Sequence, residues 1–259
     1  PVDTQRGTVP KVLQMDEHFR AKPRTVTHAD DAAVEAAVEL LWSARRPLVI
    51  SGRGARAAGP ELDRLLRATG AVYLDTGETR GLISDDHPSV IGAMRGAVMG
   101  QADLVITIGR KLDFQLAYGS PAVFTNARFL RISDTPTEIR DNRRGDAELL
   151  ATPSAAIEAM LAKAGSRQPA VDRDWAQGLR RQHEERAAKL KVSMAAAPSD
   201  SEGRIHPNRV LHELQQRLKD DAIVVADGGD FLSFARVGLS GGRYLDPGSL
   251  GCIGIGTAF

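Results

Sequence analysis

Leu104-Val105-Ile106-Thr107-Ile108-Gly109 is too short for a buried helix and too uniformly apolar for a strand with one wet face. This run constrains the chain most, because it does not stand alone. Similar runs occupy 47–51, 71–74 and 129–133, with amphipathic stretches between them. Over 31–44, Ala33, Ala37, Leu40 and Leu41 recur at helical spacing behind Asp30 or Asp31 as N-cap. Pro60 opens a second helix, 60–69, at the first-turn position that suits proline, and 154–164 forms a third. Strands buried on both faces and separated by helices imply a parallel sheet wound in both directions. The expected fold class is α/β: a Rossmann-like, doubly wound parallel-sheet central domain at 30–164, followed by the beginning of a second α/β domain.

The alternation stops at Gly165. Ser, Gln and Pro then surround a charge-dense helix, 173–194, whose Arg180-Arg181-Gln182-His183-Glu184-Glu185-Arg186 run sets opposite charges at supporting spacing. A solvated helical linker over 165–204 is the expectation. The pattern restarts with a helix at 207–218, a strand at 222–226, the turn Asp227-Gly228-Gly229-Asp230 and a helix over 231–237. Residues 205–259 thus open a second domain, and 1–29, which show no clear period, read as a linker. The chain begins at Pro1 rather than Met, and it stops on a glycine-rich apolar stretch, 248–259, without a helix cap. It reads as an excerpt lacking material at both ends.

Lys and Arg total 34 against 33 Asp and Glu, a net charge of +1. With no basic run, neither nucleic acid nor an acidic membrane is an expected partner. The single cysteine, Cys252, excludes an intrachain disulfide framework and a cysteine-based zinc site, and suits the cytoplasm. No window approaches the ~20 apolar residues of a membrane span. The six histidines are scattered without metal-ligand spacing, and no catalytic residue is assigned within the chain.

Three glycine-bearing segments carry the candidate chemistry. Gly52-Arg53-Gly54 follows a strand and precedes a helix, where a phosphate can approach backbone N–H groups; a plain tight turn explains it equally well. Together with Arg95, Gly109, Lys111 and Asp134, at the carboxyl ends of expected strands, it forms the candidate nucleotide site. Asp227-Gly228-Gly229-Asp230-Phe231 is placed likewise and stays open to the same two readings. In Gly248-Ser249-Leu250-Gly251-Cys252-Ile253-Gly254-Ile255-Gly256 the glycines let backbone lie close to a flat or bulky group, or against a sheet. Cys252 reads better as a small buried residue than as a nucleophile.

Taken in order, these segments resemble the thiamine-diphosphate-dependent enzymes of the acetolactate synthase superfamily, whose chains run pyrimidine-binding, central and diphosphate-binding domain. Ile91-Gly92-Ala93-Met94-Arg95-Gly96, Ala102-Asp103-Leu104-Val105-Ile106 and Gly109-Arg110-Lys111-Leu112-Asp113-Phe114 carry the likeness in the central domain. The resemblance implies that 1–29 follows a pyrimidine-binding domain and that 205–259 begins the diphosphate-binding one. It implies thiamine diphosphate and Mg2+ as cofactors, with Gly228, Gly229, Asp230 and Phe231 at the diphosphate. Gly251 would offer its carbonyl to the aminopyrimidine amine, with Cys252 beside it, and Ile253 would be the apolar wedge under the cofactor's bend. The glutamate that protonates the pyrimidine falls before Pro1, and the magnesium motif, Gly-Asp-Gly…Asn, after Phe259.

The activity this implies is that of a lyase or carboligase acting on 2-keto acids, assembled as a homodimer or homotetramer. Leu112-Asp113-Phe114-Gln115-Leu116-Ala117-Tyr118-Gly119 and Gly256-Thr257-Ala258 lean towards 2-hydroxyacyl-CoA lyase and oxalyl-CoA decarboxylase, hence an acyl-CoA substrate. In flavin- or ADP-binding relatives an acidic residue ends the strand matched by 129–133, and a Gly-Asp pair opens the last helix. Ser133 and Ala151-Thr152 stand there, with Asp134 one residue on, so FAD, ADP and an empty central domain all remain open. The rival from another class is a non-catalytic nucleotide-binding module.

Overall fold

Five strands, β1 (Pro47–Ser51), β2 (Val72–Leu74), β3 (Leu104–Ile108), β4 (Arg128–Ser133) and β5 (Ala147–Leu150), form one sheet in the order β2-β1-β3-β4-β5. Every neighbouring pair is parallel. All residues of β1 and β3 are buried, which is why their sequence shows no alternation. The structure, a computed structural model, describes residues 7–8, 20, 22–248, 252–254 and 256.

Helices α1 (Asp31–Trp42) and α2 (Gly59–Thr69) pack on one face of the sheet, α3 (Arg95–Gln101) on the other. The short α4 (Pro136–Ile139) follows β4, and α5 (Pro153–Ala164) joins α1 and α2. Asp30 is the N-cap of α1, its carboxylate accepting from the Ala33 N–H at 2.9 Å.

The charge-dense helix α6 (Arg173–Ala195) departs from the solvated bridge expected of it. Its Leu179 and Trp175 enter the core beneath the sheet, while Met194 and Leu190 enter a separate core. Arg180 donates to the carbonyls of His87 (3.0 Å) and Val90 (2.9 Å), and His183 Nδ1 accepts from the Ala93 N–H at 3.1 Å. Arginines whose spacing suits the helix surface therefore also fasten it to the central unit.

That separate core belongs to α7 (Pro207–Gln215), β6 (Ile223–Val225), α8 (Asp230–Gly238) and β7 (Arg243–Leu245). β6 and β7 pair in parallel as a second sheet. Val224 and Tyr244 point inward, whereas Ile223 and Val225 stay exposed. The two units meet where the 77–85 loop faces 236–248. There Ser240 Oγ donates to Asp85 Oδ2 (2.7 Å), and Arg236 pairs with the fully buried Asp246 side chain at 2.8 Å.

Candidate functional site

The sheet order reverses between β1 and β3, and open α/β sheets hold ligands in the crevice outside the strand carboxyl ends at such a point. Gly52 and Gly54 end β1 and Gly109 ends β3, so the fold brings them together. They are packed on each other: a Cβ on Gly109 (φ +53°) would lie 2.4 Å from Gly54 Cα. Gly52 N–H donates to the Ile108 carbonyl (2.9 Å), Gly54 N–H to Gly109 (3.1 Å) and Gly109 N–H to Ile132 (2.7 Å). With these amides engaged, the turn itself accounts for the glycines, and a phosphate would be met by side chains. Arg53 is exposed, 3.7 Å from Glu78. Lys111 and Asp134 are also exposed and do not line the crevice described next.

That crevice, about 600 Å3, lies between the central sheet and the second unit. Asp75, Arg80, Arg95, Phe114 and Gln115 line one side, Gly229, Leu232 and Arg236 the other. Arg95 is thus the member of the nucleotide set that reaches it; its Nη2 donates to the Gln115 carbonyl at 2.9 Å. Burial pulls the Arg95 guanidinium below its ordinary pKa, with Arg110 adding to the effect. The wall is set by hydroxyls: Ser51 Oγ lies 2.6 Å from Tyr73 OH and 2.8 Å from Thr79 Oγ1, and Thr76 donates to the Ser51 carbonyl at 2.9 Å.

Asp75, one residue beyond β2, makes no hydrogen bond or ion pair among the described residues. Burial pushes its carboxyl up to about 6, partly opposed by the nearby Arg80. Asp75 stands at the same post-strand position as Gly52, a signal that could have found it. Arg236 gives none, since only the folding-back of the second unit brings it near.

The raised value carries a prediction. An unfolded Asp titrates near ~3.9, so the native state holds this proton more tightly. The associated stability is fully present below about pH 4 and is lost as the pH rises through about 6. At pH 7.5 the charged carboxylate costs about 3 kcal/mol. Asp75→Asn is expected to recover that amount at pH 7.5 and to flatten the decline between pH 4 and 6. Denaturant unfolding across that range checks it; an equal decline in both proteins refutes it.

The second glycine turn differs from the first. Gly229 (φ +94°) is the N-cap of α8, no side chain caps the helix, and a Cβ there would meet nothing within 4 Å. The uncapped amides at the start of α8, at the carboxyl end of β6, are donors of the kind a diphosphate takes. Asp227 reaches across 27 residues: both its carboxylate oxygens accept from the Gly254 N–H at 2.9 Å, and Oδ1 also from the Gly228 N–H at 2.7 Å. Gly228, Gly229, Asp230 and Phe231 are thereby brought to the loop bearing Cys252 and Ile253.

Ile253 is 76% exposed and Phe231 49%. Cys252 is exposed, which corrects the expectation of a small buried residue: backbone hydrogen bonding tethers this loop instead of side-chain packing. Gly251 lies outside the described residues. An open glycine turn, free amides and two uncovered apolar side chains fit a diphosphate carrying flat rings, as in thiamine diphosphate. Among the described residues no group of three His, Cys, Asp or Glu is placed to hold a metal ion, and no helix is long and apolar enough to cross a membrane.

The family model described as thiamine pyrophosphate enzyme, central domain, matches residues 34–160. The chain is 30% identical over 252 residues to 2-hydroxyacyl-CoA lyase 2 of Danio rerio, covering 92% of this chain and 39% of that protein. Against 2-hydroxyacyl-CoA lyase 2 of Caenorhabditis elegans the identity is 27% over 247 residues, covering 92% and 38%. An acetolactate synthase large subunit of Mycobacterium tuberculosis is 31% identical over 242 residues, covering 92% and 42%. The chain spans about two fifths of the length of these curated relatives.

Proposed function

The chain belongs to the thiamine pyrophosphate enzymes through its central domain, and on that premise we propose that it forms part of a thiamine-diphosphate-dependent carbon–carbon lyase or carboligase. In this reading 1–29 is a linker, 30–164 the central domain, 165–204 a helical linker and 205–259 the start of the diphosphate-binding domain. The observation that carries it is the tie between Asp227 and Gly254, which joins the two segments that the resemblance assigns to the cofactor.

The chain's own residues would bind and orient. The amides that open α8 hold the diphosphate, Gly229 supplies the backbone angle, and Phe231 and Ile253 offer apolar surface to the rings. When bound, the cofactor supplies an electron sink for a carbanion beside a carbonyl. Its Mg2+ is assigned to the Gly-Asp-Gly…Asn motif rather than to any described residue. Arg80 and Arg95 suit the carboxylate of a 2-keto acid as well as a phosphate of an acyl-CoA, the two substrate classes that the relatives' names suggest. FAD and ADP form no part of the reading, because the amides of Gly52, Gly54 and Gly109 are engaged. A cytoplasmic homodimer or homotetramer completes it.

Turnover of a 2-hydroxyacyl-CoA and of pyruvate by the full-length protein, before and after removal of thiamine diphosphate, tests the proposal. At least one activity is expected, lost on removal and restored by adding the cofactor back. Turnover that survives removal, or none with cofactor present, refutes it.

A further inference from the structure

A cavity of about 850 Å3 opens where the chain enters β2, at the amino ends of the strands, whereas the crevice lies at their carboxyl ends. The end of α2, residues 87–89, residues 168–171 and the first turns of α6 enclose it. Four arginines line it, Arg67, Arg173, Arg180 and Arg181, and no Asp or Glu does. Arg67 is held by Asp63, at 2.8 and 3.1 Å, and Arg180 by Glu184 and backbone carbonyls. Arg173 and Arg181 make no ion pair or hydrogen bond through their guanidinium groups among the described residues.

His87 supplies an independent observation. It is 4% exposed, and its Nδ1 accepts from the Ser89 N–H at 3.1 Å, which places the ring proton on Nε2. Nε2 is buried without a hydrogen-bond partner, its nearest carboxylate oxygen, Asp63 Oδ1, being 3.5 Å away. Burial and the neighbouring arginines Arg67 and Arg180 hold the ring neutral by lowering its pKa. A buried donor left unmet costs about 1–3 kcal/mol, so this ring, on the lining of the cavity, calls for an ordered water, an ion or a ligand group to meet it.

The excess of donors calls for an anion, while Pro88, Pro169 and Val171 offer flat apolar walls. The volume falls in the range that encloses a small ligand. We propose that this cavity binds a phosphorylated small molecule of nucleotide size, with its phosphates on Arg173 and Arg181 and its ring against the proline-bearing wall.

Isothermal titration of the full-length protein with ADP, at saturating thiamine diphosphate, tests this; inorganic pyrophosphate serves as the second probe. ADP is expected to bind with one equivalent, and pyrophosphate more weakly because it leaves the apolar wall unused. The double variant Arg173→Ala/Arg181→Ala is expected to lose about a hundredfold in ADP affinity, as two charge-assisted contacts disappear. Its melting temperature should match the parent's, since both side chains are exposed and unpaired. Lys111→Ala, at the other end of the sheet, should bind ADP normally. The proposal is overturned if neither probe gives heat, if the double variant binds ADP like the parent, or if Lys111→Ala alone loses it.

Discussion

Arg131→Met is expected to lower stability by about 3–5 kcal/mol, the cost of leaving the partners of a buried charge behind. Arg131 lies within β4 and is 1% exposed. Its Nε donates to Thr107 Oγ1 at 2.7 Å, Nη1 to Asp141 Oδ1 at 2.9 Å and to the Arg143 carbonyl, and Nη2 to the Glu138 carbonyl at 2.7 Å. One side chain thus collects the whole return from β4 to β5. Methionine fills much of the volume but satisfies none of these acceptors. Adding Asp141→Asn, which removes the orphaned charge, should recover part of the loss. Equilibrium urea unfolding reads both. A loss below about 1 kcal/mol would mean that water replaces the guanidinium, and that the site is not a desolvated one.

Ile253→Ala in the full-length protein is expected to cut turnover per folded molecule about a hundredfold, as misplacement of reacting groups by about 1 Å does. Trimming a buried Ile normally costs about 2–5 kcal/mol. Here the side chain is 76% exposed, so there is little packing to lose, and the melting temperature should stay near the parent's. Ile253→Met and Ile253→Leu keep an apolar body and should keep most of the activity. The assay is run at saturating thiamine diphosphate and magnesium, normalised to folded protein. Unchanged turnover in the alanine variant refutes the wedge assigned to Ile253.

The central sheet was legible because β1 and β3 are buried on both faces and so read as nearly continuous apolar runs, while β4 is buried from Phe129 onward and only Arg131 interrupts its apolar run. β5 escaped notice: it is an edge strand whose Glu148 looks outward to Arg144 and the Gly145 N–H, so its four residues resemble a loop. β7 is three residues long and is defined only by its partner β6. The Arg and Glu spacing of α6 looks the same whether its arginines meet water or the carbonyls of His87 and Val90. Glycine positions were legible but their use was not. Gly109 and Gly229 both have positive φ, yet the first spends its amide on Ile132 while the second opens an uncapped helix. Asp75 and Arg236 share a crevice only because two distant stretches fold together, which no local spacing records.

Because α6 has Leu179 in one core and Met194 in the other, it works as a gauge rod. A helix advances about 1.5 Å and turns about 100° per residue, so the two anchors are some 22 Å apart at a set angular phase. Loss of one residue between them would shift the spacing only slightly but swing one anchor a quarter-turn out of its socket. Gain or loss of seven residues, two near-complete turns, would restore the phase and change only the distance. The mutual pose of the two units is therefore counted out in residues along α6, and length variation there should be tolerated in steps of whole turns.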